Sequence, residues 1–290
     1  MLANQVLLRP APTACQPYIA HRLPAPASPL DTGPQGNRLL AALPASDRQR
    51  WSQWLEPVEM PLGHVLYESG RSLNHVYFPT TAIVSLSNLT VDGACAEVAT
   101  VGNDGVVGVS ILMGGTSTNG RAVVHSGGQG YRLKHQVVID EFRRGGAVME
   151  LLLRYIQALL TQVVQTTTCT RHHAVDQQVC RLILLSLDRV QGNSLQLTQE
   201  LLAGKIGVRR ESVTAVALAL RRAGLIDYSR GRIDVLDRAA LEGRVCECYG
   251  VVKRECDRLL PPTEAHAEDG WRPGYRLRCG SGDGAIRTTC

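Results

Sequence analysis

The sequence predicts an α+β chain in three parts: an N-terminal antiparallel β-roll, a long helix and a C-terminal winged helix-turn-helix. Residues 58–133 supply the first observation, because they fall into short apolar-alternating runs punctuated by glycine, the pattern of half-buried strands joined by tight turns. Residues 140–169 supply the second, with leucine and β-branched residues recurring at spacings of one, three and four. Residues 197–235 supply the third, as two short helical periods separated by a glycine and followed by an alternating hairpin. A chain of 290 residues is long enough for about two domains of ordinary size with tails.

Taken in order, residues 1–37 are rich in Pro, Ala and Gly without hydrophobic periodicity, and are expected to be disordered, as are residues 261–290. Residues 39–55 read as a short helical opening that carries Trp51 and Trp54 and is ended by Pro57. Within a domain spanning 38–139, the runs VLYESG, HVYFP, AIVSLSNLTVDG, AEVATVGNDG and RAVVHSGGQGYRL imply an antiparallel β-sandwich or β-roll of roughly 75 residues. The helix assigned to 140–170 carries an apolar ridge of Leu151, Leu152, Tyr155, Leu159, Val163 and Thr166. That is more apolar surface than one β-roll covers, so the ridge is expected to form a homodimer interface.

In the domain assigned to 171–260, Leu201, Leu202 and Ile206 give the first short helix one apolar side, and Gly207 permits a tight turn. A second helix then begins at Arg209 or Arg210, with Val213, Val216, Ala217 and Leu220 on its buried stripe and Arg210, Glu211 and Thr214 facing away. Arg and Glu on an exposed first turn can reach guanine and cytosine edges in a major groove. Gly224 closes the helix, and residues 225–228 and 232–235 alternate around Ser229, Arg230 and Gly231 as a hairpin should, placing Arg230 and Arg232 where phosphate would run. The alternative for the same residues is a helical hairpin with a solvated basic face.

The run GVRRESV, followed by an apolar helix, AGLI and a glycine-containing wing, resembles the DNA-binding end of Crp/Fnr-type bacterial transcription regulators. The order of β-roll, long helix and winged helix over residues 38–258 is similar to that family as well, and implies a cyclic-nucleotide-binding-like sensor domain. The resemblance implies that Arg210 and Glu211 contact bases and that Ser212 contacts phosphate. It also implies double-stranded DNA and a second copy of the chain as partners, RNA polymerase as a further partner to consider, and a small-molecule effector of unknown identity. Two positions depart from the pattern: Arg209 stands where the helix cap is usually Ser or Thr, and Ala215 where a further base-reading Arg is usual. In the phosphate cassette of cyclic-nucleotide binders, Gly108 matches the glycine and Arg121 the arginine, but Val109 replaces the ribose-binding glutamate. Valine cannot accept a ribose hydroxyl, so conventional cyclic AMP binding is not expected. For Arg121 a plain surface-strand role is the competing reading.

Charge follows the same division: residues 38–170 hold ten Lys/Arg against ten Asp/Glu, and residues 171–260 fifteen against eleven. The basic excess therefore sits with the helix-turn-helix, where phosphate neutralisation would need it. Nine cysteines, odd in number and irregularly spaced, point to reduced thiols rather than a disulfide framework. Cys246 and Cys248 with Cys256 are candidate ligands, to which His172 and His173 near Cys169 could add, but one residue between Cys246 and Cys248 departs from the two-residue spacing usual for a shared zinc. No metal site and no cofactor are expected on that ground. The single Cys15 near the N-terminus argues against an iron–sulfur cluster of the family's kind. His64, His75, His125 and His135 are read as ordinary core or surface residues. No nucleophile elbow, phosphate loop or metal-protease pair is present, so a non-enzyme is expected. No apolar run approaching about 18 residues is read, and no membrane association is expected, which suggests a cytoplasmic protein. Two alternatives remain open: a β-roll ligand or redox sensor acting through protein contacts, and a metal- or thiol-responsive regulator.

Overall fold

The computed structural model describes residues 33–91 and 95–260; residues 1–32 and the tail expected to be disordered at 261–290 lie outside the described residues. Residues 33–37, inside the segment expected to be disordered, are ordered. Asn37, which is fully buried, caps α1 (Arg38–Ala41) by accepting the Leu39 and Leu40 amides at 3.1 and 3.2 Å. Its amide nitrogen donates to the carbonyls of Pro79 and Gly105 at 2.9 and 2.8 Å, which satisfies the whole side chain. The expected extension over 1–37 therefore does not reach Asn37.

Pro44 divides the expected opening helix at 39–55, because its ring fixes φ and pushes the preceding residue out of helical space. α1 and α2 (Ala45–Ser52) are the result. Trp51 is buried edge-on to Phe78 with ring centroids 6.0 Å apart, whereas Trp54 is exposed. Pro57 ends no helix. It lies inside β1 (Glu56–Met60), opposite Tyr131.

β2 (Val65–Tyr67), β3 (His75–Pro79), β4 (Ile83–Leu89), β5 (Cys95–Val101), β6 (Gly120–Ser126) and β7 (Gly128–Lys134) complete the roll. They form two antiparallel sheets, ordered β1–β7–β3 and β2–β6–β4–β5. The period-2 pattern is realised in β3, where Val76 and Phe78 are buried while His75 and Tyr77 are only half-buried.

The helix expected over 140–170 is two helices, α3 (His135–Arg144) and α4 (Ala147–His172). Gly145 and Gly146, with φ of 79° and 77°, take a left-handed backbone that breaks the helix between them. The 26 residues of α4 span about 39 Å. By length and composition α4 is long and apolar enough to cross a membrane, contrary to expectation, but one of its sides is core. Val148, Leu151, Leu152, Tyr155 and Ala158 join Leu40, Trp51, Phe78 and Leu133 in one buried cluster. The Tyr155 hydroxyl donates to the Val106 carbonyl at 3.0 Å.

This placement corrects the expected dimer ridge. Leu151, Leu152 and Tyr155 are 7, 3 and 5 % exposed and already spent inside the chain, and Leu159 and Val163 are partly buried. The large apolar side chains that α4 leaves exposed are Leu153, Leu160 and Val164. Their spacing of seven and four puts them on one stripe.

The remaining elements are α5 (Val175–Leu187), β8 (Ser194–Gln196), α6 (Gln199–Ile206), α7 (Arg210–Arg222), β9 (Ile226–Ser229), β10 (Arg232–Val235), α8 (Arg238–Glu242) and α9 (Glu247–Leu259). The wing is three-stranded, ordered β8–β10–β9, where a two-stranded hairpin was expected. β8 is short and flanked by turn residues, so its pattern is too brief to show in sequence. α5, α6, α7 and the wing close over Ile183, Leu184, Leu202, Val213, Leu220 and Ile233. The last helix links the two ends of the chain: α9 runs back along α4, Gln157 donates to Glu255 at 3.1 Å, and Leu259 and Leu260 enter the β-roll core.

Candidate DNA interface

Thr198 opens α6 as a true cap, its hydroxyl oxygen accepting the Leu201 amide at 3.1 Å. Gly207, at φ 73°, then turns the chain in the left-handed region that a side chain would resist, and α7 starts at Arg210. Val213, Ala217 and Leu220 are buried as the helical stripe requires, with Val216 half-buried. Arg209, at the cap position, makes no side-chain cap bond, and Arg209, Arg210, Glu211 and Ser212 are all exposed. Arg210 approaches Glu200 only to 3.7 Å, with both side chains about two-thirds exposed, a surface pair of little worth. Glu211 in the first turn also meets the positive end of the helix dipole.

Thr214 departs from expectation. Its hydroxyl lies 2.7 Å from Gln199 Oε1 and 3.0 Å from the Arg210 carbonyl, so it braces α7 against α6 instead of facing outward. In the wing, Arg230 takes a φ of 48° at the exposed tip beside Gly231. Arg232 Nε donates to both Asp234 oxygens at 3.0 and 2.9 Å, which offsets part of the charge expected to meet phosphate.

Two buried ion pairs, neither of which sequence reasoning found, dock this unit on the β-roll. Arg189, just past α5, forks onto Asp104 at 2.8 and 3.0 Å and also donates to Gln162 of α4 at 3.3 Å. Lys205 of α6 pairs with Glu97 of β5, which also accepts from the hydroxyls of Ser85 and Thr100. Burial pulls Lys205 below the usual lysine range, while Glu97 opposes that shift. His125 Nδ1 lies 3.4 Å from Lys205 Nζ, and burial, then the Lys205 and Arg189 charges, hold the ring well below the usual histidine range and thus neutral. A signal existed for Lys205: it falls three and four residues after Leu202 and Leu201, on the apolar stripe of its helix.

The expected effector residues sit on different elements. Gly108 caps the short 3₁₀ turn Val109–Met113 and packs on Val76, whereas Arg121 of β6 holds Glu68 at 3.0 Å. Among the cysteines, Cys256 stays on the apolar side of α9. Cys169, Cys246 and Cys248 converge with His173 instead, with all four donor atoms within 4.8 Å of one another. The single residue between Cys246 and Cys248 therefore does not keep their thiols apart. Cys246 stands before α9 in extended backbone at its N-cap, and the bend into the helix turns Cys248 back to the same side.

Residues 177–244 match the Crp-like helix-turn-helix domain. No curated protein matches the chain. Among solved structures, FixK2 from Bradyrhizobium japonicum superposes with a TM-score of 0.58 at 17% identity, covering 66% of this chain and 98% of its own. The c-di-GMP responsive global regulator CLP of Xanthomonas campestris gives 0.55 at 14%, covering 67% and 100%. A CRP-family transcriptional regulator from Thermus thermophilus gives 0.53 at 21%, covering 65% and 95%. At these identities the likeness is one of fold.

Proposed function

From a chain that has the Crp-like helix-turn-helix domain and the fold of Crp/Fnr-type transcription regulators, we propose a cytoplasmic transcription regulator that binds a two-fold symmetric DNA site as a homodimer. The observation that carries this reading is the outward first turn of α7, where Arg210, Glu211 and Ser212 stand exposed and Arg210 makes a weak surface pair with Glu200. A guanidinium there can donate to guanine O6 and N7 together, and a carboxylate can accept from cytosine. Arg230 at the wing tip reaches phosphate, as Arg232 does when DNA competes with Asp234 for it. The basic excess of residues 171–260 adds attraction that carries no sequence information. The dimer forms through the stripe of Leu153, Leu160 and Val164 that the fold leaves uncovered on α4.

Base reading and phosphate holding separate experimentally. Arg210→Ala should weaken binding to the selected site by about 1–3 kcal/mol and change binding to scrambled DNA little. Arg230→Ala should weaken both sequences alike and lower the salt slope by roughly one unit. Titrations of both DNAs at several salt concentrations check this; equal loss on both sequences for Arg210→Ala would remove α7 from base recognition.

A further inference from the structure

We propose that Cys169, His173, Cys246 and Cys248 bind one tetrahedral, thiophilic divalent cation of the zinc class, which ties the end of α4 to the start of α9. Cys169 lies in the last turn of α4 and His173 four residues on at its C-cap, so the two share a helix face. Cys246 and Cys248 arrive from the other side of the DNA-binding unit, more than seventy residues later in the chain. Cys169 Sγ and Cys246 Sγ are 3.5 Å apart, as are Cys248 Sγ and His173 Nδ1. An ion with bonds of about 2.3 Å to sulfur and about 2.05 Å to nitrogen sets tetrahedral edges of about 3.8 Å between sulfurs and about 3.6 Å between sulfur and nitrogen. Those separations fit a single ion and leave no room for a polynuclear cluster.

Two features outside the four donors point the same way. His173 turns its other nitrogen, Nε2, to Glu247 at 3.2 Å, the carboxylate–histidine arrangement that fixes tautomer and ring orientation for a ligating imidazole. Arg181 is buried with no carboxylate partner among the described residues; its Nε has no hydrogen bond, and its one side-chain bond runs to the Thr166 hydroxyl at 2.8 Å. Three thiolates and a neutral imidazole around a divalent ion carry one net negative charge, which the Arg181 guanidinium offsets. Burial pushes the Cys169 and Cys248 thiols up, with the Arg181 charge opposing both shifts. A bound cation reverses that balance and releases the thiol protons. Four protein donors close the coordination sphere, so the ion is structural.

The test uses the full chain purified under reducing conditions, with Zn²⁺ and Co²⁺ as probes and no readout that involves DNA. Elemental analysis should find about one zinc per chain, and exchange for Co²⁺ should give the visible absorption of a tetrahedral ion with thiolate-to-cobalt charge transfer. Cys169→Ser and Cys248→Ser should lose these bands while Cys256→Ser keeps them, and Glu247→Gln should weaken zinc affinity by about tenfold or more. Should the serine variants be insoluble, the wild-type cobalt spectrum and the Glu247→Gln affinity decide. A wild-type protein that binds neither ion, or tetrahedral bands that survive in folded Cys248→Ser, would overturn the proposal, as would a Cys169–Cys246 disulfide in the reduced, metal-replete protein.

Discussion

Lys205→Met should destabilise the folded chain by about 3–5 kcal/mol, because it strands the Glu97 carboxylate in the interface between α6 and the β-roll. Both side chains are 5 % exposed, and what remains around Glu97 after the substitution is two hydroxyls, from Ser85 and Thr100. Hydroxyl donors solvate a carboxylate only partly, so the DNA-binding unit should lift from the roll to bring Glu97 to water. Removing both charges should cost far less: Glu97→Leu with Lys205→Met replaces a buried pair by apolar volume, which is often neutral or better. Urea unfolding of the two single variants and the double variant checks this. A single variant within about 1 kcal/mol of wild type would mean that the pair is solvated and that the two units are not docked through it.

Leu153→Glu combined with Leu160→Glu should convert the protein to a folded monomer and weaken binding to a two-fold site by roughly 10²–10⁴, the avidity lost when half-sites are no longer linked. Both leucines are exposed in the single chain, 46 and 58 %, so charge there costs the monomer little. Leu152→Glu is the contrasting variant: at 3 % exposure it places a carboxylate in the β-roll core and should unfold the chain instead of dissociating a dimer. Sedimentation together with circular dichroism distinguishes the outcomes. A double variant that stays dimeric would move the interface away from this stripe.

What could be read in the sequence followed local periodicity. The alternation in residues 58–133, the stripe through Val213, Ala217 and Leu220, and the turn at Gly207 are each set within a few residues, and each appears in the fold. The failures came where a distant partner decides. Which face of α4 is core depends on the β-roll and α9 laid against it, so the choice between Leu152 and Leu153 could not be made from spacing. Thr214 reads as outward-facing until Gln199 is seen beside it. Glu97 and Lys205 are 108 residues apart, and the pair left only a lysine on an apolar stripe as its trace. Cys169 and His173 had helical spacing, but the two thiols that join them become neighbours only once α9 folds back along α4. Breaks were partly visible: Pro44 and the Gly145–Gly146 pair both carried the chemistry that ends a helix, yet the apolar pattern on either side ran through them.

Selection of bound DNA from a random duplex library by the 290-residue chain separates a dimeric, sequence-reading regulator from a chain with a merely basic surface. Two recognition helices related by a two-fold axis meet successive major grooves about 34 Å apart, so the enriched sequences should form an inverted repeat with half-site centres about one helical turn apart. Arg210→Ala should relax the preference at one base of each half-site and leave the spacing unchanged. Enrichment of no sequence, or of isolated half-sites with no fixed partner, would contradict a dimeric, sequence-reading regulator.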